Sequence, residues 1–315
     1  YSDPYSIDRH LKSAYLVDRG VRMLLHQSHN KSNGISFAVN PSTLLAKCYQ
    51  PLKLYRPTKA NVDTLQEALG EPIKEVHLCD HEGPVVTPEE LSLSRMDLSA
   101  DLYFSKSADN SSLIRLFRKS MLPRHYKRGE LEGKQDYFFQ LATKKISFKV
   151  YDKIYELEQN DRCPKEHRKQ KVLRLEVSMK REAFLDRLNL NRKDDLYTML
   201  KAGYDHVSDE IDYFLDKLFP SHGTHLPYPE AKKAIQKSKL DPGTRKQMLF
   251  LLEKTSRGAG LDTAAQKWAK TYSIVDSRKF HSLMKQFDKL HVNPITLTSK
   301  DTTEIPSLRT LIHLE

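Results

Sequence analysis

Cysteine is scarce: Cys48, Cys79 and Cys163 are the three in 315 residues, an odd and scattered set. Such a set argues against a disulfide framework and for a reducing compartment. No apolar run approaches the roughly 18 residues that a membrane-spanning helix needs. Tyr1-Ser-Asp-Pro-Tyr-Ser-Ile-Asp lacks the charged-then-apolar order of a secretory signal. A cytoplasmic location with no membrane partner is therefore expected. Tyr1 is not an initiator residue and Leu314-Glu315 has the look of a cloning remnant, so the chain reads as a trimmed one. Acidic residues are also in deficit, 41 Asp and Glu against 52 Lys and Arg, which gives a net charge of +11 and a pI of about 9.3. That balance favours a polyanionic partner, nucleic acid or an anionic surface.

The length suits two domains. Residues 35–46 read as a strand entering a helix at Pro41, with Asn40 or Ser42 as its cap. A helix over 58–69 is expected to end at Gly70 and Pro72, with a short strand over Lys74–Asp80 and a hairpin turn into a strand at 91–104. A basic amphipathic helix over Ser111–Met121 follows, then strands at 136–142, 145–153 and 172–179 and a helix around 181–188. This order predicts an α+β fold, a mainly antiparallel sheet of the split βαβ kind. Beyond Asp194 the pattern turns helical, with Phe219–Pro229 as the best linker and helices at about 243–256, 261–271 and 276–290 before a short strand at 293–297. The third helix sets Phe280, Leu283, Met284, Phe287 and Leu290 on one face and Arg278, Lys279, His281, Lys285 and Lys289 mostly off it. Three helices, the last one basic, and a trailing strand predict a winged helix-turn-helix. The expected division is 1–195 for chemistry and 196–315 for DNA binding.

Strand alternation puts Arg95, Asp97, Ser99 and Asp101 on one face, Arg174, Glu176 and Ser178 on another, and Ser147, Lys149, Tyr151 and Lys153 on a third. Acids in mid-strand are costly unless they are paired or bind a metal. Two readings stay open: Asp97 and Glu176 pair with Arg174 and Arg95, or the carboxylates hold Mg²⁺ or Mn²⁺, which would stabilise charge at a phosphorus. A tyrosine needs nearby cations to act as a nucleophile, and Lys149 and Lys153 are the candidates. Tyr155 lies four residues on and competes for that role.

The runs Ser94-Arg-Met-Asp-Leu-Ser-Ala-Asp101, Phe148-Lys-Val-Tyr-Asp-Lys-Ile-Tyr-Glu156 and Leu173-Arg-Leu-Glu-Val-Ser178 resemble the three signature segments of the replication initiation factor family. That family comprises rolling-circle initiators of Gram-positive plasmids, filamentous-phage-type initiators and nickases of conjugative elements. The resemblance implies an HUH-like fold that nicks one DNA strand through a 5′-phosphotyrosine link and frees a 3′-hydroxyl. It implies Tyr151 as nucleophile, Asp97 and Glu176 as metal ligands with Asp101 beside them, and Lys153 as a phosphate or leaving-group contact. Lys149, Arg278, Lys279 and Lys285 become DNA contacts, and Lys246-Gln-Met-Leu-Phe-Leu-Leu-Glu-Lys-Thr-Ser256 resembles the accessory DNA-binding region. The implied partners are origin duplex, hairpin and single-stranded DNA, a host helicase and a second copy of the chain.

The chain departs from the wider HUH pattern in having no His-hydrophobic-His pair. His77-Leu-Cys79-Asp-His81 is the nearest substitute, and His222, His225, Cys163 and His167 make a weaker zinc set. The competing reading is a non-enzymatic DNA-binding regulator that keeps the first domain as scaffold. RNA binding through the sheet is disfavoured, because that face offers acids where stacking needs aromatics.

Overall fold

The computed structural model describes residues 7–11, 14–28, 31–76, 87–103, 109–129, 136–297 and 304–308. In chain order the first elements are β1 (Ile7–Leu11), α1 (Ala14–Asp18), β2 (Val21–Ser28), β3 (Lys31–Val39), α2 (Pro41–Ala46) and α3 (Lys59–Val76). Then come β4 (Arg95–Tyr103), α4 (Asn110–Lys119), β5 (Lys127–Arg128), β6 (Phe138–Ala142), β7 (Ile146–Asp152), α5 (Lys153–Gln159), β8 (Val172–Lys180) and α6 (Arg181–Arg187). The remaining helices are α7 (Leu196–Asp205), α8 (Val207–Leu218), α9 (Tyr228–Lys237), α10 (Pro242–Ser256), α11 (Leu261–Thr271) and α12 (Ser277–Lys289). No helix among the described residues is long and apolar enough to cross a membrane.

Two compact units result, Tyr1–Ser94 with Leu188–Tyr204, and Arg95–Arg187 with Asp205–Glu315. In the first, β1, β2 and β3 form an antiparallel meander. Its core joins Leu16, Val21 and Leu44 to Leu65, Leu69 and Ile73 of α3. Asn40 caps α2 by accepting a hydrogen bond from the Thr43 amide at 3.2 Å, as one of the two expected caps. Helix α3 does not end at Gly70 and Pro72. It runs to Val76, because the apolar spacing Val62, Leu65, Leu69, Ile73 continues past both residues and is buried. Packing thus outweighs the hydrogen bond that Pro72 removes. Of the strand expected over Lys74–Asp80, residues 74–76 are helical instead. Residues 77–86, with the His77, Cys79 and His81 set, lie outside the described residues.

The second unit is built on a five-stranded antiparallel sheet of order β4-β8-β7-β6-β5. The α+β expectation is met. Met96, Leu98, Ala100 and Leu102 of β4, Leu175 and Val177 of β8, Phe148 and Val150 of β7 and Leu141 of β6 are all buried. Phe117 of α4 packs against Phe139 and Phe148 with ring centroids 5.6 and 6.2 Å apart, and Phe214 of α8 stacks on Phe148 at 4.7 Å. The boundary expected at 195/196 does not coincide with this division: α8 carries Ile211, Phe214, Leu215 and Leu218 as a buried stripe and belongs with the sheet.

Helices α9 to α12 close around Trp268, Met248, Leu251, Leu252 and Phe287. The three helices expected over 243–256, 261–271 and 276–290 all form, within a residue or so of those limits. The strand expected over 293–297 does not. This segment makes isolated bridges instead, among them Thr224 with Val292 and Pro227 with Leu297. Gly223 sits so close to the Val292 backbone that a Cβ would lie 2.3 Å from its carbonyl carbon, so only glycine lets the two segments meet.

Candidate active site

The three runs with mid-strand acids and the tyrosine, dispersed from 94 to 178, become three adjacent strands with β8 at the centre. Register pairs Asp97 with Ser178, Ser99 with Glu176 and Asp101 with Arg174 across β4 and β8. It pairs Ser147 with Ser178, Lys149 with Glu176 and Tyr151 with Arg174 across β7 and β8. The period of two therefore collects every one of these side chains on the face opposite the apolar core.

Each acid has a cation. Arg95 grips Asp97 with two bonds of 2.7 Å and reaches Ser178 Oγ at 3.2 Å. Arg174 grips Asp101 at 2.6 and 2.7 Å, and this pair is deeply buried, the side chains being 10% and 3% exposed. Lys149 Nζ donates to Glu176 Oε1, which also accepts from Ser178 Oγ at 3.2 Å. The pairing is thus Arg95 with Asp97 and Arg174 with Asp101, whereas the sequence suggested Arg174 and Arg95 for Asp97 and Glu176. Same-strand reach and the one-to-one cross-strand register decide it.

Tyr151 donates its hydroxyl to Glu176 Oε2 at 3.3 Å. Burial pushes its phenol well above the ordinary tyrosine value, Glu176 adds to the rise and Arg174 opposes it. Burial also pulls the Glu176 carboxyl upward, but Lys149 and Ser178 outweigh it and hold the group below its ordinary value. Lys153 is not in the strand. It opens α5, whose cap is Asp152, accepting from the Tyr155 amide at 3.0 Å and from Asn110 Nδ2 at 2.9 Å. This turn leaves Lys153 Nζ 5.8 Å from the Tyr151 ring centroid and 2.7 Å from Glu156 Oε2. Burial lowers the Lys153 ammonium pKa, and Glu156 works against that shift. Tyr155 takes a different partner, stacking on Tyr137 with centroids 3.7 Å apart, whereas Tyr151 lies 6.4 Å from Phe138.

Asp152, Glu156 and Asn110 were missed by the sequence reading. An Asp ahead of a new helical period is a cap signal, and that signal was available in Tyr-Asp-Lys. On α12, Lys279 and Lys285 are exposed, and so is Arg278, whose guanidinium is held by Asp276 at 2.8 Å. Lys149 is instead committed to Glu176. His225 is fully buried with Nδ1 2.8 Å from the Ile295 carbonyl, a structural position rather than that of a zinc ligand.

Asp97, Asp101 and Glu176 offer the hard oxygen donors that Mg²⁺ and Mn²⁺ prefer. Among the described residues, however, no group of three or more His, Cys, Asp or Glu converges as a metal cage. Four carboxylates, Asp97, Asp101, Glu156 and Glu176, face four cations, Arg95, Lys149, Lys153 and Arg174. The donor chemistry fits a hard cation, but a divalent ion would have to displace a side-chain cation to enter. No family model matches the chain, and neither the curated proteins nor the solved structures include a significant match.

Proposed function

We propose that the polar sheet face is a DNA strand-nicking centre and that the chain initiates rolling-circle replication. In this reading the sheet unit is an HUH-like nickase of split βαβ type, and the α10 to α12 region is a helix-turn-helix-like module, without the expected wing strand, that finds the origin. One observation carries it: the tyrosine of the second run and the glutamate of the third come within hydrogen-bond range, at 3.3 Å. A general base beside a nucleophile is what an activated phenol requires.

The step is a transesterification. Tyr151 Oη attacks the phosphorus, an Oη–P bond forms and the P–O3′ bond breaks. The phenolic proton passes to Glu176, and Lys153, made more acidic by burial, protonates the departing 3′ oxygen. Arg174 and Lys149 orient Tyr151 and Glu176. Because the face is charge-balanced by itself, Mg²⁺ or Mn²⁺ belongs to the proposal as the surplus positive charge. Asp97 or Asp101 would hold it beside Glu176, and when bound it would neutralise a phosphate oxygen. Unpaired DNA in a hairpin loop is the expected substrate, since in-line attack reaches a phosphate poorly in regular duplex.

The test is a denaturing gel of the protein with labelled single-stranded and hairpin DNA, with Mg²⁺, Mn²⁺ or chelator. A covalent protein–DNA band in wild type and Tyr155→Phe that disappears in Tyr151→Phe is the expected result. One observation favours a second reading, a non-enzymatic DNA-binding regulator: burial keeps the Tyr151 phenol protonated while its neighbours are already satisfied. That reading requires tight duplex binding and no band with any DNA or ion.

A further inference from the structure

Helix α10 carries apolar residues beyond those it buries. Met248, Leu251, Leu252 and Thr255 are buried in the bundle core, while Leu249 and Phe250, at its margin, are only partly covered. Leu249 and Phe250 form one wall of an open groove of about 580 Å³ that Arg245, Lys246, Glu253 and Tyr272 also line. Its floor is aromatic: Phe250 and Tyr272 meet edge to face, with centroids 5.8 Å apart and planes at 85°. Its electrostatics are cationic. Lys254 Nζ lies 5.0 Å over the Phe250 ring, and Glu253, the carboxylate of the groove, is paired with Arg257 at 2.7 Å. The surrounding helices, residues 228–290, carry fourteen Lys and Arg against six Asp and Glu.

We propose that this groove binds an unpaired DNA strand, with bases against Leu249, Phe250 and Tyr272 and phosphates on Arg245 and Lys246. Aromatics interleaved with cations are the usual platform for single strands, because every base has a face to bury and every nucleotide a charge. The size agrees: sites for one small ligand run about 300–1,000 Å³, which suits one or two nucleotides and not a duplex. The proposal rests on DNA as the partner in the reading above, but not on Tyr151 chemistry.

The experiment is fluorescence anisotropy with the full chain carrying Tyr151→Phe, so that no strand is cut. The probes are a labelled oligo(dT) 12-mer, an abasic oligomer of the same length and a duplex. Arg245→Glu with Lys246→Glu is expected to weaken oligo(dT) at least about tenfold and the duplex less than about threefold. Tyr272→Leu keeps the apolar bulk and is expected to weaken oligo(dT) about tenfold, in line with the value of one stacked base, while leaving the abasic oligomer unchanged. Circular dichroism establishes that each variant is folded. Oligo(dT) binding that matches the parent in both variants overturns the proposal and leaves the groove to an acidic amphipathic helix. Equal weakening of single strand and duplex also overturns it, because the cations would then serve any polyanion. The covalent band reads Tyr151 alone, so the nickase reading and the groove can fail independently.

Discussion

Asp101 and Arg174 show at the scale of a residue why the polar face is ordered. Two guanidinium hydrogen bonds of 2.6 and 2.7 Å replace the water that burial removes from this carboxylate. Burial works against the charge of Arg174, but Asp101 more than compensates and raises its pKa. Removing one partner leaves an uncompensated buried charge, whereas removing both leaves a cavity that apolar groups can fill. Arg174→Met is therefore expected to cost about 3–5 kcal/mol in urea unfolding. Asp101→Leu combined with Arg174→Met should recover most of that loss, which would appear as a large coupling energy in the double-mutant cycle. Additive single effects would mean that the pair contributes nothing as a pair. The pairing itself was only half legible in the sequence. Alternation gave the faces, but which acid meets which cation depends on register, and nothing in Leu173-Arg-Leu-Glu-Val-Ser178 states whether Arg174 lies opposite Asp97 or Asp101.

Elements were legible where periodicity and burial agreed. Strand β4, helix α4 and helices α10 to α12 lie close to where their apolar spacing puts them. Helix α3 shows the converse, since Gly70 and Pro72 are strong local stop signals and lost to burial of Ile73 beyond them. The segment near 293–297 has the buried apolar residues of a strand, Ile295 and Leu297, but Val292 and Leu297 make single bridges to Thr224 and Pro227 instead of a ladder. His225 holds that arrangement from the facing segment through its bond to the Ile295 carbonyl. Burial keeps its imidazole pKa down at about 4, Ile295 opposes the shift and Lys119 adds to it. The sign follows from linkage: as pH falls below about 6.5 the unfolded histidine takes a proton that the folded one refuses. This contribution to stability is present above about pH 6.5 and is lost as pH falls to about 4, a total of about 3 kcal/mol at 1.36 kcal/mol per unit. Urea melts at pH 7.5, 6 and 5 should show the decline, and His225→Asn should flatten the part of it due to this residue. An identical decline in the variant would assign it to other groups.

At the scale of the molecule, most of the surplus positive charge lies away from the polar sheet face. Eight of the eleven surplus charges lie in residues 228–290, while the polar sheet face has as many paired acids as paired bases. Affinity for a polyanion is therefore expected to come from the helices and to depend on salt through counterion release, since each neutralised phosphate frees a condensed ion. Lys279→Ala and Lys285→Ala should each weaken duplex binding across all sequences and reduce the slope of log K against log salt by about one. Arg278→Ala should do less, because its guanidinium is already engaged by Asp276 and a phosphate would compete for it. Lys149→Met on the sheet should leave the slope unchanged, since Lys149 is committed to Glu176. Titrating one labelled duplex between 50 and 300 mM salt with all four variants reads each contribution. A slope that responds to Lys149 but not to Lys279 or Lys285 would put the DNA on the sheet and not on the helices, and the division of labour between them would be wrong.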